Sequence, residues 1–323
     1  MIESFLSKTI DAIEILGLSA PYSGKVRQSY DAPGGRKIII ASDRLSAFDK
    51  QITTIPLKGQ VLTQVARFWF DATKDICPNH VIAYPDPNVV ICRKLNMLPV
   101  EFVVRGYLAG STDTSILKMY KSGRREMYGV KFPDGMRDFQ KLDHPIITPT
   151  TKASANFHDE PLSPQQIIAE NIIDQATWDK ASAYAFALFA RGQALAQERG
   201  LILADTKYEF GVLPDGTLLL GDEIHTPDSS RYWIASTYQS HLDASTSPET
   251  MDKDVIRHWL TQHCDPYKDS IPEIPDSIRI ATANTYISAF EKITGEKMAF
   301  PNASEDPALR IKTAIQAYLA SNP

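Results

Sequence analysis

The sequence predicts an α+β protein with about two domains. Three observations support this prediction: the length of the chain, strand-like runs joined by short turns in its N-terminal third, and long segments with helical periodicity in its second half. A chain of 323 residues is longer than most domains with a single hydrophobic core, which indicates more than one domain. Hydrophobic residues make up 43% of the chain and charged residues 23%, an ordinary composition for a soluble globular protein.

Composition and charge exclude several classes of protein. The formal net charge is -5, so the chain lacks the general basic surface typical of nucleic-acid binding. No apolar run is long enough to cross a bilayer, and the N-terminus does not resemble a signal peptide. Cys77, Cys92 and Cys264 are too far apart for a zinc or redox motif. We therefore expect small-molecule partners, with no nucleic acid and no membrane, and a location in the reducing cytoplasm.

The first domain is predicted to span residues 1–98. Apolar residues at helical spacing predict a helix over 3–16, which ends before Gly17. Hydrophobic patterns then predict the following elements in order: a strand, a turn and a strand over 23–41, a helix over 60–73, and strands near 81–83 and 89–93. A plausible domain boundary follows at Asn96–Pro99.

A glycine and two cations in this domain are candidates for phosphate binding. Gly24 allows close approach of the backbone, and Lys25 and Arg27 supply positive charge. The segment matches neither a Walker A loop nor a dinucleotide fingerprint, so a simple charged hairpin remains the alternative. A polar segment at 42–49, which ends at Asp49, directly follows the second strand and is typical of a site lining or of a turn.

A second candidate anion site follows an apolar strand at 100–104. Arg105 stands at the end of this strand, and Gly106, Gly110 and Ser111 come directly after it. A guanidinium, close backbone and a hydroxyl are the ingredients of a phosphate pocket. An Arg105 that forms an ion pair on the surface is the alternative.

The remainder is predicted to form a central domain over 99–260 and a C-terminal helical segment over 261–323, packed on the central domain. Residues 112–163 are irregular, and for His158 and the acidic residues beside it a solvated loop is favoured over a metal site. The predicted helices are those near 115–121, 164–175, 177–199, 252–263, 276–294 and 306–320.

The segment 201–233 carries the densest group of candidate site residues. Two strand-like runs flank a turn signal, Pro214-Asp215-Gly216. If Leu213 faces Leu218, Glu209 lies opposite Asp222, with Asp205 and Lys207 on the same face as Glu209. Opposed carboxylates in a sheet repel unless a cation lies between them, and oxygen ligands favour Mg²⁺. A solvated hairpin is the alternative, and a slip of one residue would break the pairing.

Seven segments in the same order resemble the SAICAR synthetases, or phosphoribosylaminoimidazole-succinocarboxamide synthases. The matching segments are GKVRQSYD at 24–31, SDRLSAFD at 42–49, EFVVRGYLAGS at 101–111, TPTTKA at 148–153, ADTKYEFG at 204–211, GDEIHTPDSSRYW at 221–233 and DKDVIRHWL at 252–260. The resemblance runs over nearly the whole chain. The length and the 112–163 insertion are similar to the longer, fungal-type form.

The resemblance implies a fold and a reaction. A small N-terminal antiparallel-sheet lobe, loosely like a protein-kinase lobe, would lie over a larger α+β lobe with C-terminal helices, and ATP would bind in the cleft between them. The reaction would join L-aspartate to the carboxylate of carboxyaminoimidazole ribonucleotide (CAIR) and use ATP and Mg²⁺. A small-molecule kinase and a nucleotide-binding module without turnover are the alternatives. We expect a monomer or a small homo-oligomer.

The resemblance also implies roles for individual residues. Nucleotide and metal groups would be Gly24, Lys25, Arg27, Glu209 and Asp222, of which Glu209 and Asp222 would bind the magnesium. Groups around the ribonucleotide would be Arg105, Ser111, Lys207, Ser230 and Arg231. Catalytic groups would be Lys207, Asp205 and Asp49. Lys152 and the 156–160 loop are candidates for the aspartate pocket.

Overall fold

The computed structural model describes residues 2–48, 50–110, 112, 114–151, 161–251 and 254–322. The predicted α+β class is confirmed, because antiparallel sheets are combined with several helices. The chain forms two compact units. The described part of the first comprises residues 2–68, 80–94, 251 and 254–322, and that of the second comprises 69–79 and 95–250, without the gaps named above.

The first unit contains a 3₁₀ helix, two sheets and three C-terminal helices. The 3₁₀ helix is Ile2–Lys8. The strands are β1 Tyr22–Ser23, β2 Arg27–Ala32, β3 Arg36–Ala41, β4 Arg44–Ala47, β5 Lys50–Thr54, β6 Val81–Asp86 and β7 Val89–Arg93. The helices are α6 Asp254–His263, α7 Asp276–Thr294 and α8 Pro307–Ser321, and α1 Lys58–Ala72 runs from this unit into the second.

The main sheet of the first unit is antiparallel, with strand order β1-β2-β3-β7-β6. Its inner face supplies Ile38, Ile40 and Ile91 to a core that also contains Ile311 and Ile315 of α8. An ion pair at the end of this core links Arg310 to Asp86, with Nε 2.7 Å from Oδ2. The C-terminal helix is thus packed on the N-terminal sheet.

This grouping differs from the expected domain boundaries. We expected residues 261–323 to pack on the central domain and the N-terminal domain to end at 98. The first unit instead combines the residues from 251 onwards with the N-terminal residues. Its N-terminal part ends at residue 94, and the chain continues into the second unit from residue 95. The physical reason is that α8 fills the core beneath β3 and β7, while the Arg279 guanidinium of α7 donates to the Leu6 and Thr54 carbonyls.

The predicted helix over 3–16 is wrong beyond Lys8. The helical turn ends there, and the following residues are irregular but anchored from outside. The amide of Ile10 donates to the Asp43 carboxylate, and the amide of Ile13 donates to the Gln28 side chain. Because Ile10 and Ile13 are buried by these tertiary contacts, their apolar spacing did not arise from a helix.

The second unit is built on one large sheet and one long helix. Its strands are β8 Asn96–Tyr107, β9 Glu126–Met127, β10 Val130–Lys131, β11 Lys141–Ile147, β12 Thr150–Thr151, β13 Leu201–Val212, β14 Leu218–Gly221 and β15 Ser230–Ile234. Its helices are α2 Ile116–Lys121, α3 Pro164–Ala169, α4 Gln175–Glu198 and α5 Ala235–Ala244.

Strand β13 is the centre of this sheet. One edge of β13 pairs with β8 along most of its length, and the other edge pairs first with β15 and then with β14. The gap between β14 and β15 lies beside Lys207, whose amide donates to the carbonyl of Ser229. One face of the sheet packs on α4, where Phe102 stacks on Trp178 and meets Phe210 edge to face. We call this side the helix face.

The hairpin between β13 and β14 exists, but its predicted register is wrong by one residue. Glu209 pairs with Gly221, not with Asp222, and the amide of Leu213 donates to the carbonyl of Thr217. The loop therefore has three residues, 214–216, instead of the four that the expected register assumed. Gly216 has φ +85, the left-handed conformation that three-residue hairpin loops require, and this turn shifts β14 by one position.

Most other helix predictions are confirmed. Helices α1, α2, α4, α6, α7 and α8 occur within a few residues of their predicted spans. Helix α3 has the predicted capping box between Ser163 and Gln166 but ends earlier than expected, at Ala169. Helix α5 was not predicted. Within the described ranges, no helix has both the length and the apolar character needed to span a bilayer.

Candidate active site

The second face of the large sheet carries a row of charged side chains, which we call the site face. It is formed by alternate residues of three neighbouring strands, since side chains alternate along a strand. Its members are Glu101 and Arg105 of β8, Asp205, Lys207 and Glu209 of β13, and Arg231 of β15. Asp205, Lys207 and Glu209 thus share a face, as the sequence predicted. The row divides into two clusters of opposite charge.

The first cluster is a lysine held between two carboxylates. Glu209 lies directly opposite Glu101 in the β13–β8 pairing. The Nζ of Lys207 lies 2.7 Å from Oε1 of Glu101 and 2.6 Å from Oε1 of Glu209. The opposed carboxylates inferred from the sequence therefore exist, but the partner of Glu209 comes from β8 and not from β14.

Asp222 adds a third negative charge to this cluster. It follows β14 directly and has φ 58, so the chain leaves the sheet at this residue. Burial alone would lower the pKa of Lys207, but the charges of Glu209, Glu101 and Asp222 outweigh burial and raise that pKa above its ordinary value. The surrounding carboxylates thus stabilise the positively charged form of Lys207.

The second cluster is a carboxylate held between two arginines. Asp205 pairs with Arg105 of β8 on one side and with Arg231 of β15 on the other. Oδ2 of Asp205 lies 3.3 Å from Nη1 of Arg105 and also accepts from Nη1 of Arg231. The side chain of Arg105 is 8% exposed and that of Arg231 is 26% exposed. Arg231 is therefore the guanidinium that a ligand reaches more easily.

Arg105 is fixed in place by further contacts. Its Nε donates to Oγ1 of Thr148 over 2.9 Å, and this hydroxyl donates in turn to the carbonyl of Val103. A Cβ on Gly110 would lie 3.4 Å from Nη1 of Arg105, so the backbone after the strand runs close to the guanidinium. Gly106 instead lies against Phe189 of α4 on the helix face. Of the two glycines predicted to shape the pocket, Gly110 is the one whose Cβ position lies near the Arg105 guanidinium.

The two clusters give the site face opposite charges at its two ends. Three carboxylates and one ammonium leave an excess of negative charge around Lys207, and two guanidiniums and one carboxylate leave an excess of positive charge around Asp205. Such a face favours a cation at the first end and an anion at the second.

The chemistry of the first cluster fits Mg²⁺. Its donors are carboxylate oxygens, which Mg²⁺ prefers, and their charge exceeds that of Lys207. Among the described residues no preformed group of three or more metal-ligating side chains occurs. Proteins commonly bind Mg²⁺ through one or two carboxylates together with substrate phosphates and water, so a full protein cage is not needed. Glu101, which lies opposite Glu209, is a further carboxylate beside the predicted ligand pair of Glu209 and Asp222.

The structure places Ser230 on the helix face. Its hydroxyl lies 2.7 Å from that of Thr206, its partner across β13 and β15, and both are buried. Alternation along β15 therefore separates Ser230 from Arg231, and the structure does not bring the Ser230 side chain into the site face.

Gly24 and Lys25 lie in the turn between β1 and β2 of the first unit, and Arg27 is the first residue of β2. The amide of Gly24 donates to the carbonyl of Arg27 over 2.9 Å. The guanidinium of Arg44 donates to the carbonyls of both Gly24 and Arg27. The side chain of Lys25 is exposed and that of Arg27 is half-buried. Arg44 thus fixes the backbone of this segment, while the two cationic side chains remain exposed or half-buried.

Three sequence-based candidates lie outside the described residues: Asp49, Ser111, and the aspartate-pocket segment with Lys152 and 156–160. Conversely, sequence reasoning missed Glu101 and Thr148. A signal for Glu101 existed, because Glu101 and Arg105 stand four residues apart in a strand and must share a face. For Thr148 no local pattern indicated a contact with Arg105.

Comparison with known proteins gives consistent matches. The SAICAR synthetase family model matches residues 20–274. A putative phosphoribosylaminoimidazole-succinocarboxamide synthase 2 of Mesorhizobium japonicum is 58% identical over 312 residues, covering 96% of this chain and 99% of that protein.

Two solved structures are similar to this one. The SAICAR synthase of Saccharomyces cerevisiae complexed with SAICAR has a TM-score of 0.79 and 30% identity, with 90% of this chain and 100% of that chain covered. A SAICAR synthetase in complex with ADP has a TM-score of 0.66 and 25% identity, with 87% of this chain and 100% of that chain covered.

These matches confirm the family that the seven sequence segments indicated. The family model extends over most of the chain, and the expected longer, fungal-type form stays a prediction. The chain belongs to the SAICAR synthetase family.

Proposed function

We propose that the protein joins L-aspartate to the carboxylate of CAIR, with ATP converted to ADP and phosphate, and so forms SAICAR in purine biosynthesis. Membership of the SAICAR synthetase family supports this function. The relatives with bound SAICAR and bound ADP support a small-molecule product and a nucleotide at the site. The observation that carries the proposal is the site face, with its negative cluster around Lys207 and its positive cluster around Asp205.

The reaction requires activation of a carboxylate, because oxide is too poor a leaving group for direct attack by an amine. Transfer of the γ-phosphoryl group to a carboxylate oxygen of CAIR gives an acyl phosphate and ADP. The neutral amine of aspartate attacks the acyl carbon, and the C–O bond to phosphate breaks. Amide, phosphate and one proton are the products. Catalysis of phosphoryl transfer rests mainly on positioning and charge neutralisation.

Glu209 and Asp222, with Glu101 beside them, would hold Mg²⁺, which when bound neutralises charge on phosphate oxygens. Lys207 remains protonated between Glu101 and Glu209 and contributes a fixed positive charge to the same end of the site face. We therefore assign Lys207 an electrostatic role in catalysis.

The positive cluster is assigned to the phosphate of the ribonucleotide. Arg231 and Arg105 are the donors, and Asp205 keeps both guanidiniums aimed at one point. Binding energy gained at a phosphate distant from the reacting carboxylate fixes the substrate in the reactive position. A role for Ser111 at this substrate and a catalytic role for Asp49 remain predictions, whereas the role of the Ser230 side chain is not kept, because that side chain lies on the helix face.

Gly24, Lys25 and Arg27 are assigned to the ATP phosphates. Arg44 donates to the carbonyls of Gly24 and Arg27 and so fixes the backbone of this segment. The side chains of Lys25 and Arg27 would then contact the ligand from a fixed backbone. Fixed cations and backbone amides stabilise charge that spreads over the transferred phosphoryl group. A reducing compartment such as the cytoplasm suits the three free cysteines, and we expect a monomer or a small homo-oligomer.

The test is a coupled assay of ADP formation with ATP, Mg²⁺, L-aspartate and CAIR, from which each component is omitted in turn. The proposal predicts that ADP forms at the full rate with all four components and falls to background when any one is left out. Full ADP formation without aspartate would instead indicate a kinase. No ADP formation under any condition would indicate a binding module without turnover.

A further inference from the structure

Two tyrosines lie directly behind the site face. Tyr208 stands between Lys207 and Glu209 on β13, and Tyr232 follows Arg231 on β15, so alternation points both side chains to the helix face. Both are fully buried, with 0% and 1% exposure. Each therefore belongs to a strand that carries site residues, while its own side chain points away from the site face.

Both tyrosines contact His225. The hydroxyl of Tyr208 forms a hydrogen bond with Nε2 of His225, and the hydroxyl of Tyr232 donates to the carbonyl of His225 over 2.8 Å. The indole of Trp69 meets the imidazole edge to face, with the ring centroids 4.7 Å apart. His225 thus joins β13, β15 and the turn after β14 at one point behind the sheet.

The imidazole packs closely against helix α4. A Cβ on Gly192 of α4 would lie 2.5 Å from Cε1 of His225, so the helix backbone rests against the ring. Burial lowers the pKa of His225 to about 3, and Nδ1 has no hydrogen-bond partner among the described residues. The ring is therefore neutral at physiological pH and makes a single polar side-chain contact, with Tyr208.

The turn that His225 anchors is strained. Asp222 has φ 58 and His225 has φ 50, both in the left-handed region that residues other than glycine seldom occupy. Such conformations persist where surrounding contacts hold them. The turn begins at Asp222, directly after Gly221, which pairs with Glu209 across β14 and β13. A loss of the contacts at His225 would allow the turn to relax and would move Asp222.

We propose that His225 is a positioning residue, which Tyr208 and Tyr232 hold from behind the sheet and which fixes the turn that presents Asp222 beside Glu209 and Lys207. The inference rests on the proposed function, because it takes Asp222 to be a group that holds the metal-bound nucleotide. A histidine with a merely structural role would stabilise the fold without affecting metal affinity.

The test compares four variants with the wild-type protein. His225→Leu removes the polar contact, and His225→Gln keeps a side-chain donor near the position of Nε2. Tyr208→Phe removes the hydroxyl alone. Tyr120→Phe is the control, because Tyr120 is also buried in the second unit, and its hydroxyl donates to the carbonyl of Pro133 and accepts from the amide of Met136. Mn²⁺ binding in the presence of ADP is measured by electron paramagnetic resonance, and stability by urea unfolding.

We expect His225→Leu to weaken Mn²⁺ binding at least about tenfold, the effect usual for residues that orient metal ligands. Tyr208→Phe should weaken it in the same direction, and His225→Gln should recover part of the loss. Tyr120→Phe should lower the midpoint of urea unfolding, as expected for a lost hydrogen bond, without weakening Mn²⁺ binding.

Unchanged Mn²⁺ binding in His225→Leu, together with lower stability, would overturn the inference. Equal weakening in Tyr120→Phe would overturn it as well, since general loosening would then explain the effect. If His225→Leu does not fold, Tyr208→Phe and His225→Gln decide by the same criteria. Failure of the wild-type protein to bind Mn²⁺ with ADP would instead contradict the proposed function, so the two failures are distinguishable.

Discussion

Glu101 lies directly opposite Glu209 across β8 and β13, and the ammonium of Lys207 contacts both carboxylates. The side chains of the two glutamates are 13% and 9% exposed, so solvent screens their repulsion poorly. Lys207 therefore keeps two like charges together in a part of the sheet where a metal and phosphate groups are proposed to bind. The arrangement links stability of the fold to occupancy of the site.

Replacement of Lys207 by Met should destabilise the protein. At pH 8 we expect a loss of about 3 kcal/mol in the free energy of unfolding, since two buried carboxylates lose their counter-ion. Urea unfolding at pH 8 measures this loss.

The control for this prediction is Lys121→Met. Lys121 pairs with Asp138 at the surface, with 59% of its side chain exposed, so the loss should stay below about 1 kcal/mol at pH 8. A second substitution, Glu101→Gln, should return part of the stability lost in Lys207→Met. Equal losses in the two lysine variants would contradict the role of Lys207 as a counter-ion.

Substitution of Gly192 by Ala should lower stability by about 1–3 kcal/mol, because the new Cβ would lie 2.5 Å from His225 and 2.7 Å from Leu203. Helix propensity alone predicts the opposite, a gain of about 1 kcal/mol. Ala194→Gly, at an exposed position of the same helix, measures that propensity separately. A thermal unfolding midpoint that rises in Gly192→Ala would show that α4 does not rest against the imidazole.

Asp43 should make stability depend on pH between about 4 and 7. Its buried carboxylate accepts from the amides of Ile10 and Gly59, yet burial raises the pKa to about 6. A pKa that folding raises favours the folded state at low pH, and the benefit is lost as the pH rises through 6. When the pH is lowered from 7.5 to 4.5, the free energy of unfolding of the wild-type protein should rise by about 2 kcal/mol relative to that of Asp43→Asn.

Urea unfolding of both proteins at these pH values provides the comparison. Other carboxylates titrate in both proteins and cancel in the difference, and the lost acceptor in Asp43→Asn adds a cost that does not vary with pH. A difference between the two proteins that stays constant from pH 4.5 to pH 7.5 would contradict the raised pKa.

The acyl phosphate predicts transfer of oxygen from CAIR to phosphate. If the carboxylate of CAIR carries ¹⁸O, one labelled oxygen should appear in the inorganic phosphate for each SAICAR formed, because the C–O bond to the transferred phosphoryl group breaks. Mass spectrometry of the phosphate measures the label. Unlabelled phosphate, formed at the same rate as SAICAR, would exclude this route.

The charged row on β13 was predictable from sequence, whereas its partners were not. Alternation is a local property, so Asp205, Lys207 and Glu209 had to share a face. The partner of Glu209 depends on which strand lies beside β13, and Lys207 contacts a glutamate 106 residues earlier in the chain. The hairpin register failed for a different reason, since it depended on whether the turn at Gly216 contained three residues or four.

The long helices were predictable because one face of each is apolar over several turns, as in α4 and α7. The N-terminal segment shows the limit of this signal. Ile10, Ile13 and Ile15 are buried without a helix, and Asp43 and Gln28 supply the hydrogen bonds that a helix would have formed for Ile10 and Ile13. Apolar spacing alone does not distinguish these two ways of burying the same residues.

The central claim is that the positive cluster of the site face binds CAIR and the negative cluster binds Mg²⁺. The steady-state kinetics of Arg231→Met and Glu209→Gln test this claim most directly. Arg231→Met should raise the KM for CAIR at least about tenfold, equivalent to 1.4 kcal/mol, and leave the Mg²⁺ requirement unchanged. Glu209→Gln should lower kcat and raise the Mg²⁺ concentration for half-maximal activity, with little change in the KM for CAIR. The reverse pattern, or equal effects of both variants on CAIR and Mg²⁺, would contradict the account.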